Sequence, residues 1–206
     1  MDADTLEDYW QRLWARKEPD QVTWFQPVPA VSLDLVERIG LDPLDPIIDV
    51  GAGASLFVDR LLDLGFVDVT VLDVSAKAIS VAKERLGERA HDVTWLCEDI
   101  TCWIPDRCFR LWHDRAVFHF LTDPVDRALY AAVLYEALEP GGYAAIGTFA
   151  PEGPSKCSGL PVCRHDATSL QLEFGPAFEL VHDERERHVS PGGLEQVFAW
   201  SLFRRL

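Results

Sequence analysis

Leu6, Tyr9, Trp10, Leu13 and Trp14 recur at intervals of three and four, so residues 6–16 are predicted as a helix with one apolar face. The aromatic turn Trp24-Phe25-Gln26-Pro27 follows. A second helix then carries Leu33, Val36 and Ile39, with Ser32 as its expected cap and Gly40 and Pro43 as its end. Beyond it the period changes. Residues 46–50 form a short apolar run stopped by Gly51, and residues 67–73 form a β-rich run ending in Asp73. Between them residues 56–64 have helical spacing. The alternation continues with a helix over about 76–86, strands at 93–96 and 109–113, and a helix over 125–138 closed by Glu139-Pro140-Gly141-Gly142. A buried strand is expected at 143–148.

Strands that trade places with helices predict a parallel, doubly wound sheet. The C-terminal end departs from that rule. Residues 178–188 and 196–203 are two extended runs joined by Ser190-Pro191-Gly192-Gly193 with no helix between them, which predicts an antiparallel hairpin at the sheet edge. The expected fold is α/β: a mainly parallel seven-stranded sheet, doubly wound, with helices on both faces and a C-terminal antiparallel hairpin. No internal repeat or low-complexity linker divides the chain, so one domain over residues 1–206 is expected.

Composition narrows the function classes. The 48% of hydrophobic residues, with seven tryptophans, supply a substantial core. The net charge of −15 repels a polyanionic backbone, so nucleic acid is not expected as a partner. No basic segment followed by an apolar run opens the chain, and no stretch approaches the ~20 apolar residues of a membrane helix. A cytoplasmic protein without a membrane partner is therefore expected; the sequence does not specify its oligomeric state. Cys97, Cys102, Cys108, Cys157 and Cys163 are odd in number and never form a Cys-x-x-Cys pair, so reduced thiols and no metal are expected.

The candidate chemistry begins at Asp49-Val50-Gly51-Ala52-Gly53, where the first strand passes to a helix. Small residues there let a ligand approach the backbone. Asp73 ends the next strand at the offset where such folds place an acid to accept hydrogen bonds from ribose hydroxyls. A dinucleotide fold wants a third glycine at position 56, and Leu56 stands there instead. No Lys-Ser or Lys-Thr pair follows the loop, which also disfavours a nucleoside triphosphate.

Taken together, Asp49-x-Gly51-x-Gly53, Asp73, Glu98-Asp99-Ile100, Asp114 and Pro140-Gly141-Gly142 resemble the class I S-adenosylmethionine-dependent methyltransferases over about residues 30–149. Ser55 stands where many members carry another glycine. The resemblance implies S-adenosyl-L-methionine as cofactor and S-adenosyl-L-homocysteine as product. It implies that Asp49, Gly51, Ala52 and Gly53 flank the methionine part, that Asp73 holds the ribose with Val74 also at the cofactor, and that Asp99 and Ile100 border the adenine. Asp114 and Arg115 would lie near the transferring methyl. A looser similarity to protein-lysine methyltransferases rests on Tyr9-Trp10, Trp24-Phe25 and residues 114–121. On this reading residues 1–40 are a helical segment covering the site, 41–149 the cofactor-binding core, and 150–206 the substrate loop and hairpin.

Methyl transfer from a sulfonium needs alignment more than chemical machinery, so a missing catalytic triad is no objection. Asp114 or His119 is the candidate proton acceptor. His119 is read equally as a core histidine satisfied by backbone. Arg115 ends a central strand and should point into the crevice, toward a substrate carboxylate or Asp114. Trp24 and Phe25 are read as an aromatic wall or as an anchor for the terminus. Cys157 in the 154–161 loop, Arg164 and Gln196 complete the candidate substrate set, each with a bland alternative as inert thiol, solvated loop or locally paired residue. The expected function is methylation of a small-molecule acid, thiol or amine, with protein-lysine methylation and noncatalytic cofactor binding as alternatives.

Overall fold

The computed structural model describes residues 5–206; the first four residues of the expected covering segment lie outside the described residues. Helices α1 (Leu6–Trp14) and α2 (Ala30–Ile39) precede an alternating series. It runs β1 (Ile47–Val50), α3 (Phe57–Asp63), β2 (Val69–Asp73), α4 (Ala76–Leu86), β3 (Val93–Cys97), β4 (Phe109–Arg115), α5 (Pro124–Ala137) and β5 (Leu138–Phe149). A small ribbon, β6 (Lys156–Cys157) with β7 (Leu160–Pro161), then α6 (Ala167–Phe174), β8 (Phe178–Val189) and β9 (Glu195–Arg205), complete it.

The seven-stranded sheet has the order β3-β2-β1-β4-β5-β9-β8, parallel from β3 to β5 and antiparallel at β5/β9 and β9/β8. This is the expected doubly wound sheet finished by a hairpin. The order reverses between β1 and β4, and the C-terminal ends of the strands beside that switch point are where an open α/β sheet forms its crevice. Both faces are covered, which is why β1 and β2 are wholly buried, near-continuous apolar runs. Ile48, Trp112 and Ile146 pack under α5 and α6 with Tyr130, Leu134 and Phe174. Ile47, Leu111 and Ala145 point the other way, to Leu35, Phe57 and Leu61 of α2 and α3.

The caps follow local chemistry. Thr5 accepts from Asp8 N at the start of α1, Ser75 from Ala78 N at α4, and Asp123, followed by Pro124, from Val125 N at α5. Gly40, in the left-handed region, ends α2 as expected. Ser32 does not cap α2: the helix starts two residues earlier, and the Ser32 hydroxyl turns inward to His113 Nε2 at 2.9 Å. No helix among the described residues is long and apolar enough to cross a membrane.

Candidate functional site

A cavity opens at the switch point, over the ends of β1, β2 and β4. The loop after β1 turns tightly because Gly51 (φ +59) and Gly53 (φ +57) adopt a conformation that L side chains avoid. A Cβ on Gly51 would stand 1.9 Å from Val117 Cγ2, and one on Gly53 would stand 2.9 Å from the Trp14 ring. The loop backbone is thus pressed between α1 and the turn after β4. Gly53 N–H donates to Asp73 Oδ2 at 2.7 Å, and Ser75 N–H donates to Asp73 Oδ1 at 2.8 Å. Burial pushes the Asp73 carboxyl up to about 6, against the opposing pull of those two amides. Val74 and Ile100 line the cavity beside it. Asp99 borders it but is exposed, its Oδ1 occupied by Thr101 N–H and hydroxyl.

Asp49, on β1, is fixed from below. Its Oδ1 pairs with His113 Nδ1 at 2.7 Å, and His113 Nε2 meets Ser32 on α2. All three residues are buried. Asp49 Oδ2 has no hydrogen-bond partner among the described residues, and the residue lines the cavity, leaving an acceptor for a ligand donor.

The N-terminal segment covers this floor. Trp10 meets Trp24 and Phe120 edge-on, with ring centroids 5.9 and 5.1 Å apart, and Trp14 meets Trp24 at 6.1 Å. Gln11 Oε1 accepts from Ser75 Oγ and Lys77 N–H, tying α1 to the start of α4. Tyr9 OH donates to the Ser158 carbonyl in the ribbon. Trp24 and Phe25 line the cavity together with Trp10 and Trp14.

At the far side lies Arg115. Ala116 takes a left-handed conformation (φ 74), a strained choice for a non-glycine residue, immediately after the strand. The Arg115 side chain is 10% exposed and lines the cavity. Its Nη1 donates to the Trp24 carbonyl at 2.9 Å, and its guanidinium lies over Phe198. Glu186 Oε1 stands 3.8 Å from Nη2. Gln26 Nε2 donates to Glu186 Oε1 and Trp200 Nε1 to Oε2. Cys157 lines the same end, and burial raises its thiol to about 11, so it is protonated at neutral pH.

Several expected site residues stand elsewhere. Asp114 is fully buried beneath the cavity: Val117 N–H, Phe118 N–H and Tyr130 OH all donate to its carboxylate, Tyr130 at 2.6 Å. It therefore organises the turn carrying Val117 and is not placed as a base facing a ligand. His119 is likewise fully buried; burial and the nearby Arg115 lower it to about 3, and its Nδ1 accepts from Phe149 N–H. It is a neutral, buried histidine whose Nε2 has no partner among the described residues, so backbone satisfies one ring nitrogen only. Arg164 is exposed and bonded to the Gly153 carbonyl. Gln196 is buried in β9 opposite His188, outside the cavity lining. Glu186, Gln26 and His113 were missed. The alternation of β8 was the available signal for Glu186, since period two sends it inward between exposed Arg185 and Arg187.

Residues 47–142 match a family model described as "Methyltransferase domain". Among curated proteins, the chain is 28% identical over 146 residues to the mouse (Mus musculus) eEF1A lysine and N-terminal methyltransferase, covering 66% of this chain and 20% of that one. It is 28% identical over 104 residues to the malonyl-[acyl-carrier protein] O-methyltransferase 1 of Ilyobacter polytropus, covering 50% of this chain and 37% of that one. The chain thus spans about a fifth of the length of the mouse relative. Among solved structures, the N-methyltransferase NodS of Bradyrhizobium japonicum in complex with S-adenosyl-L-homocysteine superposes with a TM-score of 0.72 at 18% identity, over 95% of this chain and 98% of that one.

Proposed function

We propose that this chain is a class I S-adenosylmethionine-dependent methyltransferase and that it moves a methyl group from that cofactor to a small-molecule acceptor in the cavity. Bound S-adenosylmethionine supplies a methyl already activated on a sulfonium, so the chain's own residues need only hold and orient. The residues fit that group. Asp73 presents a buried carboxylate for hydroxyl donors, and the unpartnered Asp49 Oδ2 offers an acceptor for an ammonium. Gly51, Ala52 and Gly53 allow close backbone approach, and Val74, Asp99 and Ile100 supply the border for a base. Asp114 serves by positioning Val117 and Phe118.

The observation that supports the acceptor reading is an aromatic cover over a partly open cavity. The cavity is lined by the glycine loop, Arg115 and Cys157 together with Trp10, Trp24 and Phe25, which suits a small acceptor beside Arg115. Incubation of a lysate with the protein and methyl-labelled S-adenosylmethionine is expected to place label in a small-molecule product that separates from the cofactor on chromatography and is absent when the protein is omitted. Label found only in polypeptide would overturn the small acceptor. Failure to bind S-adenosylhomocysteine in calorimetry would overturn the cofactor assignment itself. Protein-lysine methylation is the second reading, favoured by the match to the eEF1A methyltransferase and by a net charge of −15 that attracts basic chains.

A further inference from the structure

Arg115 is more costly than a structural role explains. A guanidinium carries five N–H donors in a fixed fork, and burying it without filling those donors is unfavourable. Here Nη1 is used by the Trp24 carbonyl, while Nε and Nη2 are buried with no hydrogen-bond partner among the described residues. Glu186 compensates the charge only at a distance. Its Oε1 is 3.8 Å from Nη2, and its two oxygens already accept from Gln26 and Trp200. Burial therefore lowers the Arg115 pKa despite that carboxylate. The donors sit on a residue that lines the cavity, beside the protonated Cys157 thiol, and the strained Ala116 backbone fixes the end of the strand that carries them.

We infer that this end of the cavity is an anion subsite and that the acceptor is a small carboxylate with an apolar body, its carboxylate held by the fork of Arg115 and its body against Trp24 and Phe120. The geometry suits such a ligand on both counts. A carboxylate matches the planar fork and satisfies donors that no described protein group fills. The adjoining walls are aromatic, which suits a hydrocarbon and leaves the charge as the feature that is read. A lysine side chain would bring an ammonium toward a buried guanidinium whose carboxylate neighbour, Glu186, already accepts from Gln26 and Trp200.

The inference rests on reading the cavity as the acceptor site, and the test separates the two. Protein saturated with S-adenosylhomocysteine is titrated with phenylacetate, phenylacetamide and phenethylamine while tryptophan fluorescence is followed, for wild type, Arg115→Gln and Arg115→Lys. Wild type is expected to bind phenylacetate at least about tenfold more tightly than the isosteric amide, the amount one charge-assisted hydrogen bond supplies, and to reject the amine. Arg115→Gln should erase the preference, and Arg115→Lys should keep part of it. S-adenosylhomocysteine affinity is the control for folding, and the wild-type acid-to-amide ratio stands even if a variant does not fold. Equal binding of acid and amide, tighter binding of the amine, no binding of phenylacetate, or an unchanged preference in a folded Arg115→Gln protein each overturns the anion subsite while leaving the cofactor assignment intact. Loss of S-adenosylhomocysteine binding by wild type overturns both.

Discussion

Among the site residues Asp73 carries the clearest pH signature. Burial raises its carboxyl to about 6, while the Gly53 and Ser75 amides pull the other way. Its ionised form has two oxygens free of protons, and protonation converts one of them into a donor, so it accepts fewer ligand hydroxyls. Because the folded-state value is raised, that loss begins near pH 6, where an ordinary aspartate would still be fully ionised. Affinity for S-adenosylhomocysteine, measured by calorimetry, is therefore expected to hold between pH 8 and 7 and to weaken through about pH 6 and below. Asp73→Asn should weaken it by about 10- to 100-fold at neutral pH, the worth of a hydrogen bond to a charged group, and should remove the pH dependence. A wild-type affinity that stays flat down to pH 5 would reject Asp73 as the ribose acceptor. His119 and Asp114 teach the complementary lesson: both have shifted pKa values, yet each is held wholly inside the protein, so a perturbed titration alone did not mark a catalytic group.

Helix α1 is where packing and ligand binding meet. Trp14, 5% exposed, fills the space a side chain on Gly53 would need and packs with Val22, Ala54 and Ala78. Trp14→Ala removes a large buried ring, expected to cost about 3 kcal/mol in urea unfolding. It also uncovers the glycine loop, so S-adenosylhomocysteine should dissociate faster; an unchanged dissociation rate in the folded variant would confine α1 to a structural role. The elements themselves were largely legible. In the parallel core short apolar runs stood apart from segments of period 3.6, because β1 and β2 are buried on both faces while the covering helices keep a polar face. The ribbon β6/β7 and α6 were not foreseen. The ribbon is two residues per strand, too short to show a period, and α6 spans only Ala167–Phe174. The capping box at Asp166 and Ser169 and the following Gly175 were its readable signals. The site residues brought by long-range contact, Glu186 and Gln26 above all, stand 160 positions apart, and no local pattern announces such a pair.

At the scale of the whole molecule, the net charge of −15 acts against the local charge of Arg115. A small carboxylate approaching the protein meets a repulsive field before it meets the guanidinium, whereas a basic protein surface is drawn in. Salt weakens both long-range effects, since the Debye length falls from about 30 Å at 0.01 M to about 8 Å at 0.15 M, but it scarcely touches a contact buried in the cavity. The two acceptor classes therefore respond to ionic strength with opposite signs. With S-adenosylmethionine saturating, kcat/KM for an anionic acceptor is expected to rise about two- to threefold between 0.01 and 0.15 M salt, and kcat to stay level, because only the encounter is eased. For a lysine-bearing protein substrate kcat/KM should fall over the same range. A fall would favour the protein acceptor and weigh against the anion subsite, since no rearrangement of the interior reverses the sign of the field that an approaching substrate crosses.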